Sequence, residues 1–131
     1  MAEGEVTIGT EDSPQRVTVT GDVHLILKDG CNLTVNGGIQ VAQRDSLTIY
    51  AQAEDGEVPD TTGKLTATAV ATSSDAGIGG NKGEAGGAIT IHGGKVTANG
   101  KKGGAGIGGG NETSGGTTNI YGGTVEAAGN T

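Results

Sequence analysis

The sequence predicts an all-β chain folded as a short right-handed parallel β-helix, a three-sided solenoid of about four to five coils with turns of about 22 to 29 residues. Three observations lead there. The first is a repeat: Ala-Gly-Ile-Gly-Gly at 76–80 returns at 105–109, and 13 of 27 positions match between 76–102 and 105–131 at a constant offset of 29. A fixed period of that size means stacked structural units. The second is alternation, as in Val17, Thr18, Val19 and again in Leu47, Thr48, Ile49, with turn residues between the runs; alternation of this kind marks half-buried strands. The third is composition: no Phe, no Trp, two Tyr and a hydrophobic fraction of 32%. Such a chain cannot fill a bulky core, but it can fill a narrow one with rows of aliphatic side chains.

The elements follow in order. Residues 1–16 are polar and read as an N-terminal cap or lead-in over the first coil, with a short run at Val6, Thr7 and Ile8. An end coil left bare would expose apolar rows and unpaired strand edges. Residues 17–74 form aliphatic coils, with strands at 17–20, 23–27, 33–35, 39–41 and 47–49 and turn signals at Gly21, Gly30, Gly37 and Asp45. Leu25 and Leu47 stand 22 residues apart with two short strands between them, which makes one turn of a three-sided coil. Asn36-Gly37 is a hairpin dipeptide, but glycine pairs recurring in phase favour a coil that turns the same corner each time. Residues 51–63, with four acids and a proline, read as an acidic loop inserted at a corner.

Residues 75–131 hold 20 of the 28 glycines and form the 29-residue units. Collagen is excluded, because glycine does not fall at every third position. Each unit divides into strands, in the first unit at 76–80, 88–92 and 95–98. Ala76, Ile78, Ile89, Ile91, Val96 and Ala98 point inward, and the outside of the first strand is bare glycine. The hand follows the general preference of parallel crossovers. Coils stacked at about 4.8 Å give a rod about 20–25 Å long, one domain spanning 1–131.

The formal net charge of −7 with scattered basic residues argues against nucleic acid and anionic membranes, which need clustered Lys and Arg. Cys31 is the only cysteine, so it reads as a small core residue. No segment is apolar for the length of a membrane-spanning helix, so membrane insertion is not expected.

A lead-in such as residues 19–27, a segment such as Leu33, Thr34, Val35, Asn36, Gly37, Gly38, and units of the Ala-Gly-Ile-Gly-Gly and Ile-Thr-Ile-x-Gly-Gly type stand together in this chain. In this combination it resembles the glycine-rich β-helical repeats of large surface proteins of gut-type Gram-positive bacteria. The resemblance covers about residues 17–131. It implies a parallel β-helix in an exported, adhesin-like or carbohydrate-contacting protein, located at the cell surface or outside the cell as part of a longer chain. It brings no catalytic residues.

Strand parity supplies the candidate site. With Ile49, Ile91 and Ile120 inward, Tyr50, His92 and Tyr121 point outward at equivalent corners, preceded by outward Thr48, Thr90 and Asn119. Flat side chains beside hydrogen-bonding groups suit a sugar, so a glycan or a host or cell-surface polymer is the expected partner. The plainer reading is that the rings pack over one another and stiffen the corner. His24 and Cys31 have no companions in this reading. Asn81, Glu84, Asn111 and Glu112 follow the Gly-Ile-Gly-Gly strands and could offer oxygen ligands to calcium, although the chain has no Asp beyond Asp75. The expectation is no cofactor and no metal. Gly104, Gly106 and Gly109 match the dinucleotide fingerprint by letter but lack the helix that would receive the phosphate.

The function expected is a non-catalytic structural or adhesive module. The alternative is a polysaccharide-degrading β-helix enzyme, lyase or hydrolase, or part of one, but the repeated outward positions show no acid pair. A third reading, ice binding by outward threonines, meets the objection that Thr18, Thr20, Thr66 and Thr68 do not recur coil after coil. The last unit lacks a cap and suggests end-to-end self-association.

Overall fold

The computed structural model describes residues 5–10, 12–51 and 63–129. Its thirteen strands stack in three parallel sheets, and among the described residues there is no helix. After β1 the chain visits the three sheets in strict rotation, which makes each circuit one coil of a parallel β-helix. One side, the glycine face, stacks β2 (Val17–Val19), β5 (Ile39–Val41), β8 (Ile78–Gly79) and β11 (Ile107–Gly108). A second, the ring face, stacks β3 (Asp22–Leu27), β6 (Ser46–Ala51), β9 (Ala88–Ile91) and β12 (Thr117–Ile120). The third, the threonine face, stacks β4 (Asn32–Gly37), β7 (Lys64–Ala69), β10 (Lys95–Asn99) and β13 (Thr124–Ala128), with β1 (Glu5–Ile8) added beside β4. Four full coils and a fifth strand on one face match the expected number.

The period-2 alternation decides what is inside. Ile49 and Ile91 from the ring face, Val35, Leu65, Ala67, Val96 and Ala98 from the threonine face and Val41 and Ile78 from the glycine face are buried to 1% exposure or less. Cys31 lies among them, as expected of a small core residue. No aromatic side chain enters this core. Truncating any of the Leu, Ile or Val side chains among these would leave a hole that three rigid sheets cannot close, a loss of about 2–5 kcal/mol for Leu or Ile to Ala.

The strands expected at 76–80, 88–92 and 95–98 are Ile78–Gly79, Ala88–Ile91 and Lys95–Asn99. The 29-residue offset holds on all three faces, with Ile78 over Ile107, Ile91 over Ile120 and Val96 over Val125. Earlier turns depart from the expected 22 to 29. Val17 pairs with Ile39 at 22 residues, but Ser46 pairs with Ala88 at 42. The difference is taken up in the corners, one of which holds residues 52–62, outside the described residues together with residues 1–4; the acidic loop expected at 51–63 therefore lies largely outside them. The 22-residue alignment of Leu25 with Leu47 is corrected by the register: Leu25 pairs with Ile49, 24 residues on.

Among the described residues, β12 and β13 are paired on one side only. Ile120 keeps the inward register but is 52% exposed, and Tyr121 beside it is 71% exposed.

Candidate functional site

The ring face builds its site from the ends of its strands. Tyr50, His92 and Tyr121 each follow an inward isoleucine, and the amides of His92 and Tyr121 donate to the carbonyls of Ile49 and Ile91 one coil below. Parity turns all three outward, and the 4.8 Å-type coil spacing brings their rings into stacking range. Tyr50 and His92 stack at 4.9 Å between ring centres, 4° from parallel, and His92 and Tyr121 at 5.2 Å and 19°. A fourth ring extends the ladder: His24, expected to stand alone, stacks on Tyr50 at 5.7 Å and 22°. It gets there diagonally, because its register partner is Thr48 and that of Tyr50 is Ile26.

Stacking of this kind contributes about 0.5–1.5 kcal/mol per pair. It also decides what the rings can touch. The inner rings spend their faces on each other, so they offer a ligand their edges. His24 and Tyr121 end the ladder, both are exposed, and each has one ring face that no other ring of the ladder covers. Beside the edges runs the row Thr48, Thr90, Asn119, in register across three coils with His24 below it. The six residues expected to form the site are therefore brought together. Stacked rings stiffen the corner, and polar edges with a hydroxyl and amide row form its outer surface.

At the base of the ladder Ser46 Oγ donates to Asp22 Oδ1 at 2.7 Å, and His24 Nε2 lies 3.5 Å from Asp22 Oδ2. The Ser46 bond first, and His24 second, hold the Asp22 carboxyl below its usual range. A depressed carboxylate stabilises the fold above its unfolded pKa and loses that contribution as pH falls through its folded value. The bond between Ser46 and Asp22 thus weakens only in acid.

The oxygen donors considered for calcium separate into two environments. Asn81 Oδ1 accepts from Arg16 Nε at 2.6 Å, and Glu84 Oε1 accepts from Gln40 Nε2 at 2.9 Å and from the Asn81 amide at 3.3 Å. The Asn81 oxygen thus serves a part-buried guanidinium, and Glu84 is already engaged beside it. Arg16 also donates from Nη1 to Gly37 O at 2.8 Å and from Nη2 to Gly79 O at 3.3 Å, with Asp75 Oδ2 3.9 Å away. Burial lowers the Arg16 pKa, and Asp75 and Glu84 raise it. The outside of β8 is therefore not bare, as expected, but covered by Arg16, which precedes β2 and reaches past β5. Sequence reasoning missed this clamp.

Asn111 and Glu112 lie one coil on, where an open cavity of about 610 Å³ has glycine backbone for most of its wall and Glu112 and Thr113 among its polar side chains. In the 29-residue register they correspond to Lys82 and Gly83, so they do not repeat the Asn81 and Glu84 pair. Glu112 adopts φ +66°, close to the +74° of Gly83. The repeat has kept a left-handed backbone and put a glutamate on it. Glu112→Gly is expected to raise stability by about 0.5–1 kcal/mol, the relief of strain less the entropy of a new glycine. A urea midpoint that falls instead would show that the carboxylate serves a contact here. Among the described residues no three His, Cys, Asp or Glu side chains are grouped for a metal.

Residues 89–111 and 119–130 match a family model described as Beta helix repeat. The two matches run from β9 into the corner after β11 and from β12 through β13, the region where the 29-residue stack is most regular. No significant match was found among curated proteins or solved structures. The chain carries a β-helical repeat, and its fold is a short parallel β-helix.

Proposed function

We propose that this β-helix is a non-catalytic structural and adhesive module of an exported bacterial surface protein, and that it contacts carbohydrate along the ring face. The observation that carries the reading is the four-ring ladder with Thr48, Thr90 and Asn119 beside it. A stiff corner bearing a continuous polar edge is suited to holding a chain of hydroxylated rings, and the open face of Tyr121 suits stacking on one sugar. End-to-end association belongs to the same coil, where Ile120 is half exposed.

The rival is a polysaccharide-cleaving enzyme. Glycoside hydrolysis uses two carboxyl groups flanking one bond, and the described outward positions of the ring-face strands supply one carboxylate, Asp22, beside His24. A glycan array run beside a product-release assay on neutral and acidic polysaccharides separates the two. Binding without release supports the module, and release of shortened products overturns it. Tyr121→Ala is expected to weaken binding of neutral glycans about tenfold, by the loss of one stacking face, with an unchanged far-ultraviolet circular dichroism spectrum. Undiminished binding by that variant would remove the ladder from the site.

A further inference from the structure

The threonine face carries a second, independent pattern. Thr7, Thr34, Thr66 and Thr97 lie in one unbroken register across β1, β4, β7 and β10, and Glu126 of β13 ends the row. This corrects the expectation of no recurrence for Thr66, while Thr18 and Thr68 pair with Gln40, Asn36 and Asn99 and do not recur. The uneven spacing between them, 27, 32 and 31 residues, hides the row in the sequence. Next to it Asn99 Nδ2 donates to Thr68 Oγ1 at 3.2 Å, so the neighbouring row is already tied across coils.

Charge on this face departs from that of the chain. The three central strands β4, β7 and β10 contribute no carboxylate and two lysines, in a protein of net charge −7. Lys64 and Lys95 are direct register partners, both exposed, and their next neighbours in the row are the neutral Asn32 and Thr124. Like charges placed opposite one another on a sheet destabilise it, and neither neighbour in the row offsets the repulsion. At the other margin Lys101 joins Asn36 and Thr68 in the wall of a cleft of about 290 Å³. Cations therefore frame a hydroxyl-lined face roughly 20 Å wide along the strand direction.

We propose that the threonine face binds an acidic polysaccharide of uronate type. Its carboxylates lie against Lys64 and Lys95, and its ring hydroxyls exchange hydrogen bonds with Thr34, Thr66 and Thr97. The match is one of charge density. A nucleic acid presents a phosphate roughly every 1.7 Å of duplex and needs a far denser cation array than two or three lysines, whereas a uronate polymer spaces its charges one to a sugar ring and fills the intervals with hydroxyls. This proposal does not depend on the ring face.

Affinity of the full chain for polygalacturonate, for its methyl ester and for duplex DNA tests it, in low and in high salt. Expected are binding to polygalacturonate that weakens with salt, weaker and salt-insensitive binding to the ester, little to DNA, and a loss of about tenfold in polygalacturonate binding in the Lys64→Gln/Lys95→Gln variant, two exposed ion pairs' worth. Thr66→Val should weaken binding without altering its salt dependence. The Lys64→Gln/Lys95→Gln variant should leave binding of neutral glycans unchanged, which keeps failure here distinct from failure of the ring-face reading. Equal binding to the ester, equal binding to DNA, or an undiminished double variant overturns the proposal. A sulfated polysaccharide bound more tightly than polygalacturonate would overturn the uronate assignment.

Discussion

Gly79→Ala is expected to cost about 4 kcal/mol and to leave the chain unfolded or nearly so under mild denaturant. Two effects combine. Gly79 sits at φ +141°, where a side chain is strained, and a Cβ built there would lie 1.8 Å from the carbonyl oxygen of Gly108 in the next coil. That oxygen belongs to backbone and cannot step aside without prising β8 from β11. Strain of about 1–3 kcal/mol and overpacking of a similar size are both incurred. Controls separate them. A Cβ on Gly83, at φ +74°, meets nothing within 4 Å, so Gly83→Ala should show the conformational cost alone, about 1 kcal/mol. Gly115 has neither a positive φ nor a neighbour in that range, and Gly115→Ala should be neutral or slightly stabilising. Urea melts ordered Gly115→Ala, Gly83→Ala, Gly79→Ala confirm the account; three equal losses would show that glycine here serves only chain flexibility.

Arg16→Met should cost about 3 kcal/mol. The guanidinium is 13% exposed and touches Asn81, Gly37, Gly79 and Gly80, with Asp75 beside it at 14% exposure. Methionine matches the aliphatic stem but abandons those acceptors and takes the cation from beside Asp75, which keeps only the Lys82 amide on Oδ1; breaking a part-buried pair in this way is expensive. Arg16→Lys keeps the charge and loses the planar fork, so it should recover only part of the loss. The measurement is the denaturation midpoint of each variant. A lysine variant as stable as the parent would reduce the clamp to its charge, and a methionine variant as stable would remove it as a determinant of the fold.

The inside of this molecule was legible because parity is a local property. Ile49, Ile91 and Ile120 announce their side by alternation alone, and the 29-residue offset carries Ile78 onto Ile107 without any further knowledge. Register between the earlier coils was not legible, since corners of unequal length set it. Aligning Leu25 with Leu47 at 22 residues places His24 opposite Ser46; the true 24 places it opposite Thr48, within reach of Tyr50. The same unevenness concealed the threonine row. Arg16 was illegible for a different reason, because its partners lie 21 to 65 residues away and include carbonyl oxygens that no sequence pattern marks. Tyr50, His92 and Tyr121 could be named in advance, but the fourth ring, His24, and the closing of the faces upon one another follow from register and distances between coils.

The rotation of the chain through three faces has a kinetic consequence. Each strand pairs only with the strands one circuit before and after it, so the sequence separation closed by every new coil stays within a few tens of residues however many coils precede it. Growth of the rod is therefore a succession of similar steps, and loop-closure entropy does not accumulate with length. Opening runs in reverse from whichever coil has a neighbour on one side only. Among the described strands β6 and β7, each paired on both sides, should exchange their amides with solvent last.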